Sequence, residues 1–217
     1  MQLFVTGTDT GVGKTLVASA LLHKCRERGG SAIGMKPVAA GSDDVLALIA
    51  AGNVAAERRL VNPYSFHEPI APHIAAEEAG VGIDLSRIAD SFRQLAERAD
   101  AVIVEGAGGF LIPLGADRDS GDLARLLGLP LVLVVGMRLG CINHALLSQE
   151  AIRSRGLVLA GWVANRIDPE MDRFAENLAA LRLRLAAPLL GVIPFLDTPD
   201  PAVAAGYLEL PAISRTS

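Results

Sequence analysis

The chain has 217 residues, and at roughly 150 residues per domain this length predicts one domain over residues 1–217. Lys and Arg total 20 against 24 Asp and Glu, a formal net charge of −4 that excludes a strongly basic nucleic-acid-binding protein. With 51% hydrophobic and 20% charged residues the chain is not expected to be disordered, and its two cysteines exclude a disulfide framework.

The hydrophobic content raises the question of a membrane span. The strongest apolar run, residues 126–137, has 12 residues and contains a proline, whereas a span needs about 20 residues. Such runs are typical of parallel strands that helices cover on both faces. The chain does not open with a cationic segment followed by an apolar one, as a signal peptide would, so we expect a cytoplasmic protein. From the short apolar run and the net negative charge we expect neither a membrane nor nucleic acid as a partner.

Apolar runs and helical patterns alternate along the chain. Strands are predicted at residues 3–6, 32–38, 101–105, 131–135, 157–165 and 189–193. Helices are predicted at residues 14–28, 45–50, 85–98, 143–155 and 170–185. Strands that alternate with helices favour an α/β fold, a mostly parallel sheet of the P-loop type with helices on both faces. The proline-rich residues 61–73 are expected to form an irregular loop.

The most specific local pattern is GTDTGVGKT at residues 7–15, between the first predicted strand and the first predicted helix. Glycines let backbone N–H groups point inward, and the helix N-terminus adds partial positive charge, so the pattern predicts a phosphate-binding loop. Lys14 would reach the β- and γ-phosphates, and Thr15 would ligate Mg²⁺. The spacing departs from the standard P-loop, because Thr8 stands where that pattern has its first glycine. The alternative is a glycine-rich turn with a surface lysine.

Charged residues near other strand ends are candidates to complete such a site. Glu105 ends a predicted strand and precedes a glycine-rich segment, at the edge where ligands bind in open α/β sheets. It could hold Mg²⁺ or simply face solvent. Asp43 and Asp44 open a helical stretch, where one could cap the helix and the other bind the metal. Lys36 could face phosphate oxygens beside Lys14, or be a solvated lysine at a strand end.

One polar residue is a candidate for recognising a nucleotide base. Asn165 ends the fifth predicted strand, and its amide offers a donor and an acceptor side by side, which matches the N6/N7 edge of adenine. An asparagine in the turn before Asp168 and Pro169 is the more common interpretation of such a position. The pattern alone leaves both open.

Together, several separately placed blocks of the sequence resemble the dethiobiotin synthetase family. The blocks are residues 7–15, 36–38, 62–64, 72–74, 104–109, 139–145, 161–165 and 191–196. They run in family order over nearly the whole chain and are far more specific than the phosphate loop alone. The resemblance implies a homodimer that uses ATP, Mg²⁺ and CO₂ to close the ureido ring of dethiobiotin from 7,8-diaminononanoate, in biotin biosynthesis.

The resemblance also implies roles for residues at matching positions. Lys36 and Lys14 would be catalytic, and the metal ligands would be Thr15, Asp44 and Glu105. The ATP-binding residues would be Gly11, Val12, Gly13, Lys14, Thr15, Leu16, Asp44, Glu105, Gly106, Ala107, Gly108, Asn165, Arg166, Pro194, Phe195, Leu196 and Asp200. The substrate-binding residues would be Ala40, Gly41, Cys141, Ile142 and Asn143. The last three open a helix that the neighbouring subunit would contribute, with backbone N–H groups facing the substrate carboxylate.

Three positions depart from the family pattern. Gly11, Ala40 and Asn177 stand where family members have an acidic residue, a serine and a tyrosine. The last two departures concern contacts with the substrate rather than with the nucleotide.

Two other protein classes share a phosphate loop on such a sheet. A switch ATPase that regulates a protein partner often carries an additional lysine early in the loop, and residues 7–12 contain none. A corrin amidoligase would usually need a glutamine-hydrolysing domain, for which 217 residues leave no room. We therefore favour an ATP-dependent carbon–nitrogen cyclo-ligase, with the switch ATPase as the alternative.

Overall fold

The computed structural model describes residues 1–41 and 44–212. Its strands are β1 (Gln2–Gly7), β2 (Ala32–Met35), β3 (Val38–Ala40), β4 (Tyr64–Phe66), β5 (Ala101–Glu105), β6 (Leu131–Met137), β7 (Leu159–Arg166) and β8 (Leu189–Ile193). Its helices are α1 (Lys14–Glu27), α2 (Asp44–Ala51), α3 (Arg58–Val61), α4 (Pro72–Glu78), α5 (Leu85–Ala96), α6 (Ser120–Leu127), α7 (Cys141–Ser154), α8 (Phe174–Arg184) and α9 (Pro201–Ala205).

Among these residues, six strands form a parallel sheet in the order β2-β5-β1-β6-β7-β8. The central strands are buried along their whole length, because helices cover both faces of the sheet. Leu3 and Val5 of β1 pack with α1 and α9, while Phe4 points to the opposite face and packs with α5 and α6. This parallel sheet confirms the α/β class expected from the alternating pattern.

The predicted strand at residues 32–38 is wrong at its end. β2 stops at Met35, and Pro37 has no N–H with which to continue the ladder. The chain leaves the main sheet at Lys36, whose N–H donates to the carbonyl of Val61 (2.8 Å). The strand β3 then pairs with β4 in a separate two-stranded parallel sheet. This departure turns the Lys36 side chain toward the carboxyl ends of the central strands.

The irregular loop expected at residues 61–73 is also wrong in part, because it contains β4 and the start of α4. The buried amide of Asn62 donates to the carbonyls of Lys36 (2.7 Å) and Tyr64 (2.8 Å). These two bonds hold the small sheet against the end of β2. Asp44 begins α2 as expected, whereas Asp43 lies outside the described residues.

The apolar run at residues 126–137 divides into two elements. The helix α6 ends at Leu127, Gly128 adopts a left-handed conformation (φ 65°), and β6 begins at Leu131. Neither half spans a membrane, and no helix within residues 1–41 and 44–212 is long and apolar enough to do so.

Candidate functional site

The phosphate loop connects the carboxyl end of β1 to the first turn of α1. Gly11 and Gly13 adopt positive φ angles of 73° and 87°, which side chains other than glycine rarely adopt. A Cβ on Gly13 would lie only 2.2 Å from the Asn165 amide nitrogen. That nitrogen donates to the carbonyl of Val12 (2.9 Å) and so holds the loop against β7. The curl expected from the glycines is therefore formed and supported by a neighbouring strand.

Lys14 is the first residue of α1, and its side chain is buried at the base of this loop. Its ammonium group donates to the backbone carbonyl of Asp9 (3.0 Å), which curls the side chain back over the loop. Burial, and after it the positive charge of Lys36, lower the pKa of Lys14 to about 8, although nearby carboxylates partly oppose this shift. An anion bound in the loop would supply the negative charge that this lysine lacks.

Lys36, the buried Glu105 and the partly exposed Asp44 form an ionic cluster beside the loop. The Lys36 ammonium lies 2.5 Å from Glu105 Oε1 and 2.9 Å from Asp44 Oδ2, with Lys36 only 4% and Glu105 only 1% exposed. The Thr15 hydroxyl donates to the same Glu105 oxygen (2.8 Å). Burial alone would lower the pKa of Lys36, but Glu105 and Asp44 outweigh it and raise that pKa. Lys36 is thus not a solvated strand-end lysine, and Glu105 does not face solvent.

The three predicted metal ligands lie within this cluster. Glu105 Oε2 is buried and accepts no hydrogen bond from any residue in the described part of the chain. A carboxylate oxygen of this kind, beside a threonine hydroxyl and a second carboxylate, suits a hard divalent cation such as Mg²⁺. The described residues hold no group of three or more His, Cys, Asp or Glu side chains that could bind a metal. A Mg²⁺ ion here would therefore also need hydroxyl, phosphate or water oxygens.

These residues line an open cleft of about 710 Å³. The lining residues are Thr10, Gly11, Gly13, Lys14, Thr15, Lys36, Val38, Ala40, Gly41, Asp44, Pro69, Ile70, Ala71, Pro72, Glu105, Ala107, Gly108, Ile112 and Pro113. Eleven of the predicted site residues, the two predicted catalytic lysines among them, thus line one cavity. Apolar lining residues such as Ile70 and Ile112 are not predicted, because nothing in the local sequence marks them.

Other predicted site residues lie elsewhere. Asn165 contacts the loop from outside the cleft, and Arg166 donates to the carbonyl of Pro169 (2.7 Å). Asp200 caps α9 by accepting from the N–H of Ala202 (2.8 Å). Leu16 packs against the core, and residues 194–196 follow β8. Their predicted roles in binding the nucleotide stay predictions.

The three predicted substrate-binding residues of α7 do not line the cleft of their own chain within the described residues. Cys141, the first residue of α7, is buried, and Gly140 before it has a φ of 93°. Asn177, on α8, donates to the carbonyl of Arg173 (2.9 Å) and does not reach the cleft either. A site that uses these residues would have to be completed by a second chain.

Comparison with solved structures supports the fold. The MinC:MinD cell division complex of Aquifex aeolicus matches with a TM-score of 0.57 at 16% identity, over 90% of this chain and 82% of that one. MinD of Pyrococcus horikoshii complexed with Mg-ADP matches with a TM-score of 0.56 at 16% identity, over 94% and 85%. At such low identity these likenesses concern the fold alone.

Comparison with curated sequences supports a family. Residues 1–202 match the family model described as an AAA domain. A protein of Aromatoleum aromaticum, named ATP-dependent dethiobiotin synthetase, is 57% identical over 96% of both chains. A protein of the same name from Nitrosospira multiformis is 53% identical, over 99% of this chain and 97% of its own. With near-complete coverage at this identity, the chain belongs to the ATP-dependent dethiobiotin synthetase family.

Proposed function

We propose that the cleft binds ATP and 7,8-diaminononanoate and uses CO₂ to close the ureido ring of dethiobiotin, the penultimate step of biotin biosynthesis. The observation that carries this proposal is the cluster of Lys14, Thr15, Lys36, Asp44 and Glu105 in one cavity at the phosphate loop. The cavity volume of about 710 Å³ falls in the range of small-molecule sites.

The reaction would proceed in three steps. One amine of the substrate adds to CO₂ and loses a proton, which gives a carbamate. A carbamate oxygen then attacks the γ-phosphorus of ATP, and the bond to ADP breaks, which leaves a carbamic–phosphoric anhydride. The second amine attacks the carbonyl carbon, phosphate leaves and a proton is lost. The final attack is intramolecular, so positioning supplies much of the rate.

The cluster supplies what these steps require electrostatically. A carbamate that approaches a triphosphate brings two anions together, and preorganised cations lower that barrier. Lys14 and Lys36 are both buried and both line the cleft. Mg²⁺, when bound through Thr15, Asp44 and Glu105, would neutralise phosphate charge beside them. Since Lys36 contacts both carboxylates, it can hold them together before the metal binds.

The remaining predicted contacts surround this centre. Residues of the loop, from Gly11 to Leu16, and the segment 106–108 would hold the phosphates. The nucleotide base and ribose would contact six residues near the ends of β7 and β8 and the start of α9, namely Asn165, Arg166, Pro194, Phe195, Leu196 and Asp200. With its amide nitrogen bonded to Val12, Asn165 has its amide oxygen left to accept from the adenine amino group. Ala40 and Gly41, which line the cleft, would contact the diamine.

A second copy of the chain would complete the substrate site. The start of α7, from Cys141 to Asn143, would bind the substrate carboxylate of the neighbouring subunit through its N–H groups. Leu139, just before this helix, is 93% exposed, and Leu147, on the helix, is 61% exposed. Exposed apolar side chains of this kind suit an interface between two copies of the chain. We further propose that the single domain over residues 1–217 acts in the cytoplasm, where its two free cysteines would stay reduced.

The proposal is tested by the requirements for phosphate release. We expect the purified protein to release phosphate from ATP and Mg²⁺ only when both 7,8-diaminononanoate and bicarbonate are present. Mass spectrometry should detect dethiobiotin in equal amount to the phosphate. Reactions without either co-substrate are the controls. If a protein partner stimulates ATP hydrolysis and the diamine does not change its rate, a switch ATPase would be favoured instead.

A further inference from the structure

The phosphate loop carries a carboxylate, Asp9, in the segment where an anionic nucleotide is proposed to bind. Its Oδ2 atom lies 2.5 Å from Arg138 Nη2, and its Oδ1 atom accepts a hydrogen bond from the N–H of Thr10 (2.7 Å). Its backbone carbonyl receives the Lys14 ammonium group (3.0 Å). Asp9 therefore connects the loop backbone, the buried lysine and a residue that is distant in sequence.

Arg138 lies in the connection between β6 and α7. Its side chain reaches Asp9, and its backbone carbonyl accepts from the N–H of Cys141 (3.0 Å), which closes the turn before α7. The neighbouring loop residue Thr8 is already tied to β6, because its N–H donates to the carbonyl of Val134 (2.9 Å). The ion pair extends this attachment to the exposed part of the loop.

The charge of Asp9 matters more than the strength of this exposed pair. Asp9 and Arg138 are 44% and 45% exposed, so the pair contributes little to folding stability. The Asp9 carboxylate nevertheless lies close enough to Lys14 for its negative charge to raise the pKa of that lysine. An uncompensated carboxylate in this place would repel the phosphates that Lys14 is proposed to bind. Arg138 supplies the compensating charge.

We propose that Arg138 is a positioning residue for nucleotide binding, which neutralises the loop carboxylate of Asp9 and holds the carbonyl that receives Lys14. This inference rests on the proposed function, because it requires that the loop binds a nucleoside triphosphate. Arg138 acts through Asp9 and needs no contact of its own with the reacting atoms.

A charge cycle tests the inference with a fluorescent ATP analogue and Mg²⁺. Arg138→Gln leaves the carboxylate unpaired, so Kd and KM for the nucleotide should rise about fivefold, the upper range for an exposed pair, with kcat within about twofold. Asp9→Asn should bind at least as tightly as the unsubstituted protein. The double variant Asp9→Asn/Arg138→Gln should bind about as tightly as the unsubstituted protein, and Arg138→Lys should too. Melting temperatures should hardly change.

The control is Arg93→Gln, which removes one arginine, 72% exposed, from a surface ion pair with Asp90 on α5, away from the loop. It should leave Kd unchanged. If Arg138→Gln binds as tightly as the unsubstituted protein, the inference is wrong while the proposed function stands. If the double variant binds as weakly as Arg138→Gln, the role is structural and the charge argument is wrong. Failure of the unsubstituted protein to bind any nucleotide would overturn the proposed function itself.

Discussion

Replacing Lys36 with methionine is expected to lower kcat by about 10³-fold, the effect of removing one preorganised charge from a transition state. The same change should destabilise the protein by about 3 kcal/mol, because it leaves the buried Glu105 carboxylate without its cation. Glu105 is only 1% exposed, so water cannot replace the lost ammonium group. Phosphate release and urea unfolding measure the two effects.

Two further variants separate the causes. Lys24→Met removes a lysine whose pair with Glu27 spans 3.8 Å on the surface of α1, and it should change both quantities little. The double variant Lys36→Met/Glu105→Gln removes both buried charges, so it should regain much of the lost stability and none of the activity. Near-normal turnover of Lys36→Met would remove Lys36 from the catalytic set.

Replacing Lys14 with methionine is expected to have opposite effects on stability and on binding. The pKa of Lys14 is lowered from 10.5 to about 8, so the folded protein carries this charge at a cost. Each pH unit between the two values corresponds to about 1.4 kcal/mol, so the cost at pH 7 is about 3 kcal/mol. Lys14→Met should therefore be more stable at pH 7 by about that amount, and it should lose nucleotide binding.

The pH dependence follows from the same pKa. The pKa of Lys14 is lower in the folded protein than in the unfolded chain, so the unfolded chain binds more protons between pH 8 and 10.5. The free energy of unfolding therefore rises with pH in this range, as the cost of burying the charged lysine disappears. The stability advantage of Lys14→Met should thus be complete below pH 8 and shrink as the pH rises toward 10.5. Lys24→Met on the same helix is the control. A variant destabilised at pH 7 would contradict a penalty for burying this lysine.

Much of this architecture is readable from local sequence. The main-sheet strands follow from continuous apolar runs, since both faces of the sheet are covered, and the phosphate loop follows from its glycines and Lys14. Predicted bounds differ by a few residues at helix ends: α7 begins at Cys141, two residues before the predicted start, after the left-handed Gly140. The predicted helix at 170–185 begins only at Phe174.

The parts that local sequence does not predict depend on contacts between distant residues. Lys36 and Glu105 are 69 positions apart, and Asp9 and Arg138 are 129 apart. The sequence marked Lys36 and Glu105 because each ends a strand, but it left solvent exposure open for both. The departure of the chain at Pro37, fixed by the amide of Asn62, decides that Lys36 turns inward. Local sequence does not predict helix α6, because its last residues merge with the apolar run of β6.

Oxygen labelling with C¹⁸O₂ shows whether a carbamate is phosphorylated in this cleft, provided that the reaction is quenched before CO₂ exchanges oxygen with water. In the proposed reaction a carbamate oxygen attacks phosphorus and leaves with it. Released phosphate should therefore carry one labelled oxygen for each turnover, and the ring carbonyl should carry the other. Unlabelled phosphate formed alongside labelled dethiobiotin would contradict activation of a carbamate in this cleft.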